Sequence, residues 1–200
     1  INQLADSNND PDYATELNNM IGLQNLKTSL AKMFNLTKFN QMRHSLGLKS
    51  KDNGCHHMIF TGNPGTGKTT VAKLIGKAFH SIGILSKGDV IVTERSKIVG
   101  RYLGETEKNI SDILSQAQGN VLFVDEAYTL ITDSDDRRDF GNRIIDALLT
   151  VLSQKNPDMV IIFAGYKREI ERMLDVNPGL NGRFPHRFNF DDYSAQELML

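Results

Sequence analysis

The chain has 200 residues, of which 40% are apolar and 24% charged, and its net charge is −1. That balance suits one globular α/β domain and excludes a disordered or fibrous chain, and the near-neutral charge argues against a general nucleic-acid-binding surface. The single cysteine, Cys55, excludes an internal disulfide and fits a reducing compartment. No apolar run approaches the ~18 residues of a membrane span and no secretory leader pattern is present, so the expectation is a cytoplasmic protein without membrane contact.

Residues 1–15, rich in Asn and Asp with Pro11, read as a flexible lead-in. From Glu16 to Leu46 apolar residues recur at helical spacing: Leu17, Met20, Ile21, Leu26, Leu30, Met33, Phe34, then Leu36 and Phe39. Gly22 divides them into a short turn and a long helix, with Met33, Phe34 and Phe39 expected in the core. Lys49–Asn53 is a polar loop, and His57 to Thr61 is a run of buried-strand character. His56 and His57 have no Cys or carboxylate at ligand spacing, which argues against a metal site there.

The next eight residues carry the strongest signal in the chain. Gly62-Asn63-Pro64-Gly65-Thr66-Gly67-Lys68-Thr69 fits the pattern G-x-x-x-x-G-K-[ST] at every defined position. Downstream, from Thr70 to Phe79, Val71, Leu74, Ile75 and Ala78 recur at helical spacing, so the motif has the strand–loop–helix context it requires. Glycines let backbone amides curl around phosphate oxygens, and the following helix points its positive end at the same oxygens. Lys68 is expected at the β- and γ-phosphates and the Thr69 hydroxyl at Mg²⁺, with Thr70 completing the phosphate-binding set.

Val90–Thr93 is a second strand after the turn Lys87-Gly88-Asp89. A loop around Ile98–Gly104 precedes a helix reaching about Gln118. Val121–Asp125 is a third strand, buried on both faces. Thr132–Asp139 is an acidic, polar, exposed loop, and a helix runs from about Phe140 to Gln154. Val160–Ala164 and Phe188–Phe190 are the fourth and fifth strands. Strands alternating with helices predict an α/β P-loop NTPase sandwich of three layers, with a mostly parallel five-stranded sheet.

Val121-Leu122-Phe123-Val124-Asp125-Glu126 has the Walker B form. A buried strand delivers Asp125 beside the phosphate loop, where it can support Mg²⁺, and Glu126 directly after it can polarise a water for in-line attack on a γ-phosphate. A carboxylate in that place serves water, which favours hydrolysis over transfer to a substrate. No Asn-Lys-x-Asp run reads guanine, so ATP is preferred over GTP.

With both nucleotide motifs placed, Val99-Gly100-Arg101-Tyr102-Leu103-Gly104-Glu105-Thr106 resembles the central pore loop of AAA+ ATPases. Phe163-Ala164-Gly165-Tyr166-Lys167, Asn177-Pro178-Gly179-Leu180 and Arg183-Phe184 are similar to the subgroup containing red-type rubisco activase (CbbX) and stage V sporulation protein K. The resemblance covers the chain from Leu17 onward. It implies residues 16–192 as an AAA+ large nucleotide-binding subdomain and 193–200 as the start of a helical lid that lies beyond this chain. Ser194-Ala195-Gln196-Glu197 supplies the capping-box pattern for that lid helix. Tyr102, with Arg101 and Leu103, matches the loop that grips a threaded polypeptide. Arg183 matches the arginine that reaches a neighbouring subunit's ATP site, with Arg187 as its helper. Ile21-Gly22 resembles the segment packed on adenine. Tyr166 falls where many relatives place an asparagine that orients the attacking water, and its larger ring implies a different geometry. The function implied is a ring-forming ATPase, a hexamer by resemblance, that remodels a protein client. A nucleotide-controlled binding switch acting on a protein or nucleic-acid partner without threading is the alternative.

Overall fold

The computed structural model describes residues 12–48, 55–100, 104–131, 140–154, 157–195 and 197. The five strands are β1 (Met58–Thr61), β2 (Val90–Thr93), β3 (Val121–Val124), β4 (Val160–Gly165) and β5 (His186–Asn189). They form one sheet in the order β2-β3-β4-β1-β5. Every neighbouring pair is parallel, so the sheet is wholly rather than mostly parallel. β3 and β4 are buried at every position, as strands covered on both faces must be.

Alternation along each strand divides the core in two. Phe60, Phe123 and Ile162 pack with α1 (Asp12–Asn19), α2 (Gln24–Ser45) and α3 (Lys68–Ser81) on one face. Ile59, Leu122, Val124, Ile161 and Phe163 form the second core on the other face. The helices covering that face are α4 (Arg95–Ile98), α5 (Glu105–Gln116), α6 (Phe140–Leu152), α7 (Lys167–Val176) and α8 (Pro178–Asn181). The expected three-layer sandwich is present.

The differences from expectation have local causes. Helix α1 begins at Asp12, inside the stretch read as lead-in, anchored by buried Leu17 and by a 2.6 Å ion pair between Glu16 and Lys77. On α2 the buried stripe runs Leu30, Met33, Phe34, Thr37, at i, i+3, i+4 and i+7, which leaves Leu36 and Phe39 on the outer side. Phe39 is 54% exposed and is not a core residue. Strand β5 starts two residues earlier than expected because it is an edge strand. Phe188 is buried while Arg187 and Asn189 are exposed, so only part of it carries an apolar signal.

At the far end of the chain, Ser194 and Glu197 form both bonds of a capping box. The Ser194 N–H donates to Glu197 Oε2 at 2.8 Å, and the Glu197 N–H donates to Ser194 Oγ at 3.3 Å. Residues 1–11 of the lead-in, the pore-loop candidates Arg101, Tyr102 and Leu103, and Thr132–Asp139 lie outside the described residues. Among the described residues, no helix is long and apolar enough to cross a membrane.

Candidate nucleotide site

Parallel strands all end on the same edge of the sheet, and loops from that edge converge there. The register sets Thr61 beside Gly165 and Val124 beside Phe163. Because β4 lies between β1 and β3, the loop after β1 and the acid pair after β3 stand about 10 Å apart, two strand spacings. A cleft of about 370 Å³ opens across that gap. Its walls are Gly62, Pro64, Gly65, Gly67 and Lys68 of the loop, with Thr69 and Thr70 at the head of α3. Asp125, Glu126, Gly165 and Tyr166 close the opposite side.

The loop is built to present donors. Gly67, at φ 88, occupies the left-handed region at the N-cap of α3 and offers no side-chain cap. The first amides of α3 have no intrahelical acceptor, so the positive end of the helix faces the cleft with donors to spare. Lys68 Nζ donates to the carbonyls of Gly62 and Asn63, at 2.8 and 2.7 Å. Partial burial pushes the Lys68 ammonium down from its ordinary value, opposed by the carboxylates of Asp125 and Asp192.

Asn63 and Thr66 are absent from the cleft lining. They hold the loop itself: the buried Thr66 hydroxyl donates to the Asn63 carbonyl at 2.8 Å, and the Asn63 side chain donates to Asp192. Asp192 was not legible as a site residue, since its partner lies 129 positions away.

This donor set fits the phosphates of a nucleotide. The Thr69 hydroxyl and the Asp125 carboxylate are hard oxygen donors lining the same cleft, and they fit Mg²⁺.

Glu126 has an unusual backbone. At φ 47 and ψ 43 it lies in the left-handed region, which costs a non-glycine residue about 1–2 kcal/mol. Its N–H donates to Asp125 Oδ1 at 3.0 Å. Its carbonyl accepts from the Thr129 N–H at 2.8 Å and the Thr129 hydroxyl at 2.7 Å, at the start of a 3-10 turn spanning Ala127–Leu130. The turn leaves Glu126 in the lining of the cleft, directly after Asp125.

Tyr166 follows β4 on the same wall as Glu126, 40% exposed, with its ring centre 6.1 Å from that of Tyr128. Gly165 leaves the room Tyr128 needs: a Cβ there would stand 2.8 Å from Tyr128 Cδ1. Burial, then the Glu126 carboxylate, pushes the Tyr128 hydroxyl above its ordinary value, so it stays protonated at neutral pH. Nothing in the sequence singled out Tyr128.

The remaining predicted residues lie elsewhere. Ile21 is 40% exposed, and Gly22 sits against the Glu197 carboxylate. Neither lines the cleft, whereas Met20 reaches within 3.4 Å of the position a Cβ on Gly67 would take. Arg183 donates to the Gly179 carbonyl and Arg187 to the Asn181 side chain, and both stand away from this chain's own cleft.

A wholly parallel sheet in this order, a glycine loop between β1 and α3, and an acid pair after β3 together define a P-loop nucleotide-binding protein. Residues 58–192 match the ATPase family associated with various cellular activities (AAA), and the chain belongs to that family. It is 41% identical over 184 residues to stage V sporulation protein K of Bacillus subtilis (strain 168), an alignment covering 92% of this chain and 56% of that protein. It is 42% identical over 181 residues to the chloroplastic ribulose bisphosphate carboxylase/oxygenase activase of Cyanidioschyzon merolae, covering 90% of this chain and 61% of that one. The chain thus spans little more than half the length of these curated relatives. The crystal structure of the FIGL-1 AAA domain in complex with ADP superposes with a TM-score of 0.60 at 18% identity, over 88% of this chain and 56% of that chain. That likeness is one of fold.

Proposed function

We propose that this chain is the ATP-hydrolysing domain of a ring-forming AAA+ machine that remodels or threads a protein client. The observation that carries the reading is the convergence of Lys68 and Thr69 with Asp125 and Glu126 on one cleft, with the Glu126 backbone held in a costly left-handed conformation. Lys68 and the amides at the head of α3 bind the β- and γ-phosphates. Thr69 and Asp125 hold Mg²⁺, which supplies charge neutralisation on the phosphate oxygens. Glu126 orients a water and takes its proton as the water oxygen bonds to the γ-phosphorus; the bond to the bridging oxygen breaks and ADP leaves with the electron pair. Tyr166, at the end of β4, stands on the same side as Glu126 and positions that water.

Arg183 and Arg187 serve the site of the neighbouring subunit, where a permanent cation stabilises charge developing on the γ-phosphoryl group. Ile21 and Gly22 pack against the base. Arg101, Tyr102 and Leu103 grip the client, and the assembly is a hexamer acting in the cytoplasm. The relatives named above support a remodelling role, since one of them is named as an activase of another enzyme.

The test uses the full-length protein with Glu126→Gln, which retains ATP and stalls turnover. Capture from its own lysate with ATP is expected to retain a protein client that Lys68→Ala does not retain. Retention of nucleic acid, or equal retention by Lys68→Ala, rejects the remodelling reading in favour of a nucleotide-controlled switch or a scaffold.

A further inference from the structure

The strained backbone of Glu126 needs more than its two local restraints. Unfavourable conformations of this kind persist where surrounding bonds over-determine them. The Asp125 carboxylate holds the Glu126 N–H, and Thr129 holds the Glu126 carbonyl twice. Thr129 itself lies in a 3-10 turn of one repeat, whose final carbonyls have no continuing helix to satisfy them. Those carbonyls are taken by a cation from another part of the chain. Arg95, the first residue of α4 and 34 positions before Thr129, donates from Nη1 to the Thr129 carbonyl at 2.7 Å and to the Leu130 carbonyl at 3.3 Å. Arg95 is half-buried and does not line the nucleotide cleft.

We propose that Arg95 is a positioning residue for hydrolysis: it fixes the 3-10 turn through Thr129 and so keeps Glu126 in its left-handed conformation. The link runs from the guanidinium to the Thr129 carbonyl, and from the Thr129 amide and hydroxyl to the Glu126 carbonyl. A planar, fixed guanidinium suits two adjacent carbonyls better than a single ammonium does. Without it the turn loosens and Glu126 relaxes toward an ordinary conformation, swinging its carboxylate off the water. Lys68 and Thr69, on the other wall, keep their hold on nucleotide. The proposal rests on the reading of Glu126 as the group that activates water.

The test compares wild type, Arg95→Ala, Arg95→Lys, Glu126→Gln and the Arg95→Ala/Glu126→Gln double variant in the full-length protein. Three readouts are taken: kcat for ATP, Kd for a fluorescent ATP analogue, and amide hydrogen exchange at residues 126–131. Arg95→Ala is expected to lower kcat roughly 10- to 100-fold, the scale of an ångström-sized misplacement, with Kd changed less than about twofold. Exchange should rise in the turn and not across the sheet, and Arg95→Lys should recover part of kcat. The double variant should be no slower than Glu126→Gln alone, because both changes disable one function.

Unchanged kcat in Arg95→Ala, or a loss that multiplies with that of Glu126→Gln, overturns the proposal. So does a parallel fall of kcat and affinity with raised exchange throughout the sheet, in Arg95→Lys as well as Arg95→Ala. If Glu126→Gln hydrolyses ATP as fast as wild type, the reading of Glu126 fails and the proposal with it. Turnover lost in Glu126→Gln but intact in Arg95→Ala removes Arg95 alone.

Discussion

The side-chain nitrogen of Asn63 lies 2.9 and 2.8 Å from the two carboxylate oxygens of Asp192, tying the phosphate loop to the segment that follows the last strand. The neighbouring Phe190 N–H donates to the Thr61 carbonyl at 2.7 Å, so the root of the loop and its second residue are held from the same side. Asp192→Ala should therefore speed amide exchange in residues 62–67 of the nucleotide-free protein by roughly two- to tenfold, the range set by one net hydrogen bond. Asp192→Asn keeps an acceptor and should show a smaller effect. Equal exchange in all three proteins would show that the loop is rigid without this tie.

Among the described residues Lys68 makes no ion pair, and its ammonium donates to the carbonyls of Gly62 and Asn63. Its replacement should leave the fold intact and empty the site. Lys68→Ala is expected to weaken ATP binding by on the order of 100-fold, since charge-assisted bonds to phosphate are lost. Isothermal titration alongside a thermal melt separates the two effects: affinity should fall while Tm stays within a few degrees.

Glu126 sets function against stability. In the left-handed region a glycine is relieved of the Cβ clash that an alanine keeps. Glu126→Gly should be more stable than Glu126→Ala by about 1 kcal/mol in urea unfolding, although both lose turnover. A Glu126→Ala variant as stable as Glu126→Gly would mean that the φ of 47 carries no strain.

Gly165 is required by a neighbour rather than by its own backbone. A methyl group there would meet the Tyr128 ring at 2.8 Å. Gly165→Ala should displace that ring, and with it the Tyr128–Tyr166 pair at the cleft wall, at an overpacking cost of about 1–3 kcal/mol. The companion change Tyr128→Leu removes the flat ring from this contact and is expected to rescue stability in the double variant. Simple additivity of the two losses would argue against this contact.

His57 gives the protein a measurable acid sensitivity. Its Nδ1 accepts the Ile161 N–H at 3.0 Å, and the ring is buried against Phe184. Burial, with a smaller contribution from His56, lowers its pKa from 6.5 to about 4. The unfolded chain therefore takes up a proton between those values and the folded one does not. Stability is complete above pH 6.5 and falls as pH drops toward 4, by up to about 3 kcal/mol from this group. Subtracting the pH profile of His57→Gln from that of wild type isolates the contribution, since glutamine cannot charge. Parallel profiles would assign the acid sensitivity to other groups.

The nucleotide motifs were legible because each is local. A glycine loop and an acid pair at the end of an apolar strand declare their chemistry within a few residues, and the central strands, covered on both faces, read as continuous apolar runs. What the sequence hid is everything set by distant partners. Asn63 finds Asp192 and Arg95 finds Thr129 only through the strand order, and neither pair leaves a periodic trace. Edge positions were hidden as well. The exposed half of β5 and the outer face of α2 carry residues that composition alone assigns to the wrong side, as Phe39 shows.

The position of β1 has a consequence for synthesis of the chain. Its two partners in the sheet begin at Val160 and His186, long after Thr61 has been made. At ~5–20 residues per second a ribosome takes roughly 5–20 s to reach β4. Throughout that interval Met58, Ile59 and Phe60, all fully buried in the finished fold, have no strand to pair with on either side. Of the five strands, the nucleotide-binding one is thus made first and waits longest for a partner. It is where a nascent-chain chaperone would engage and where a stalled or shortened product would aggregate.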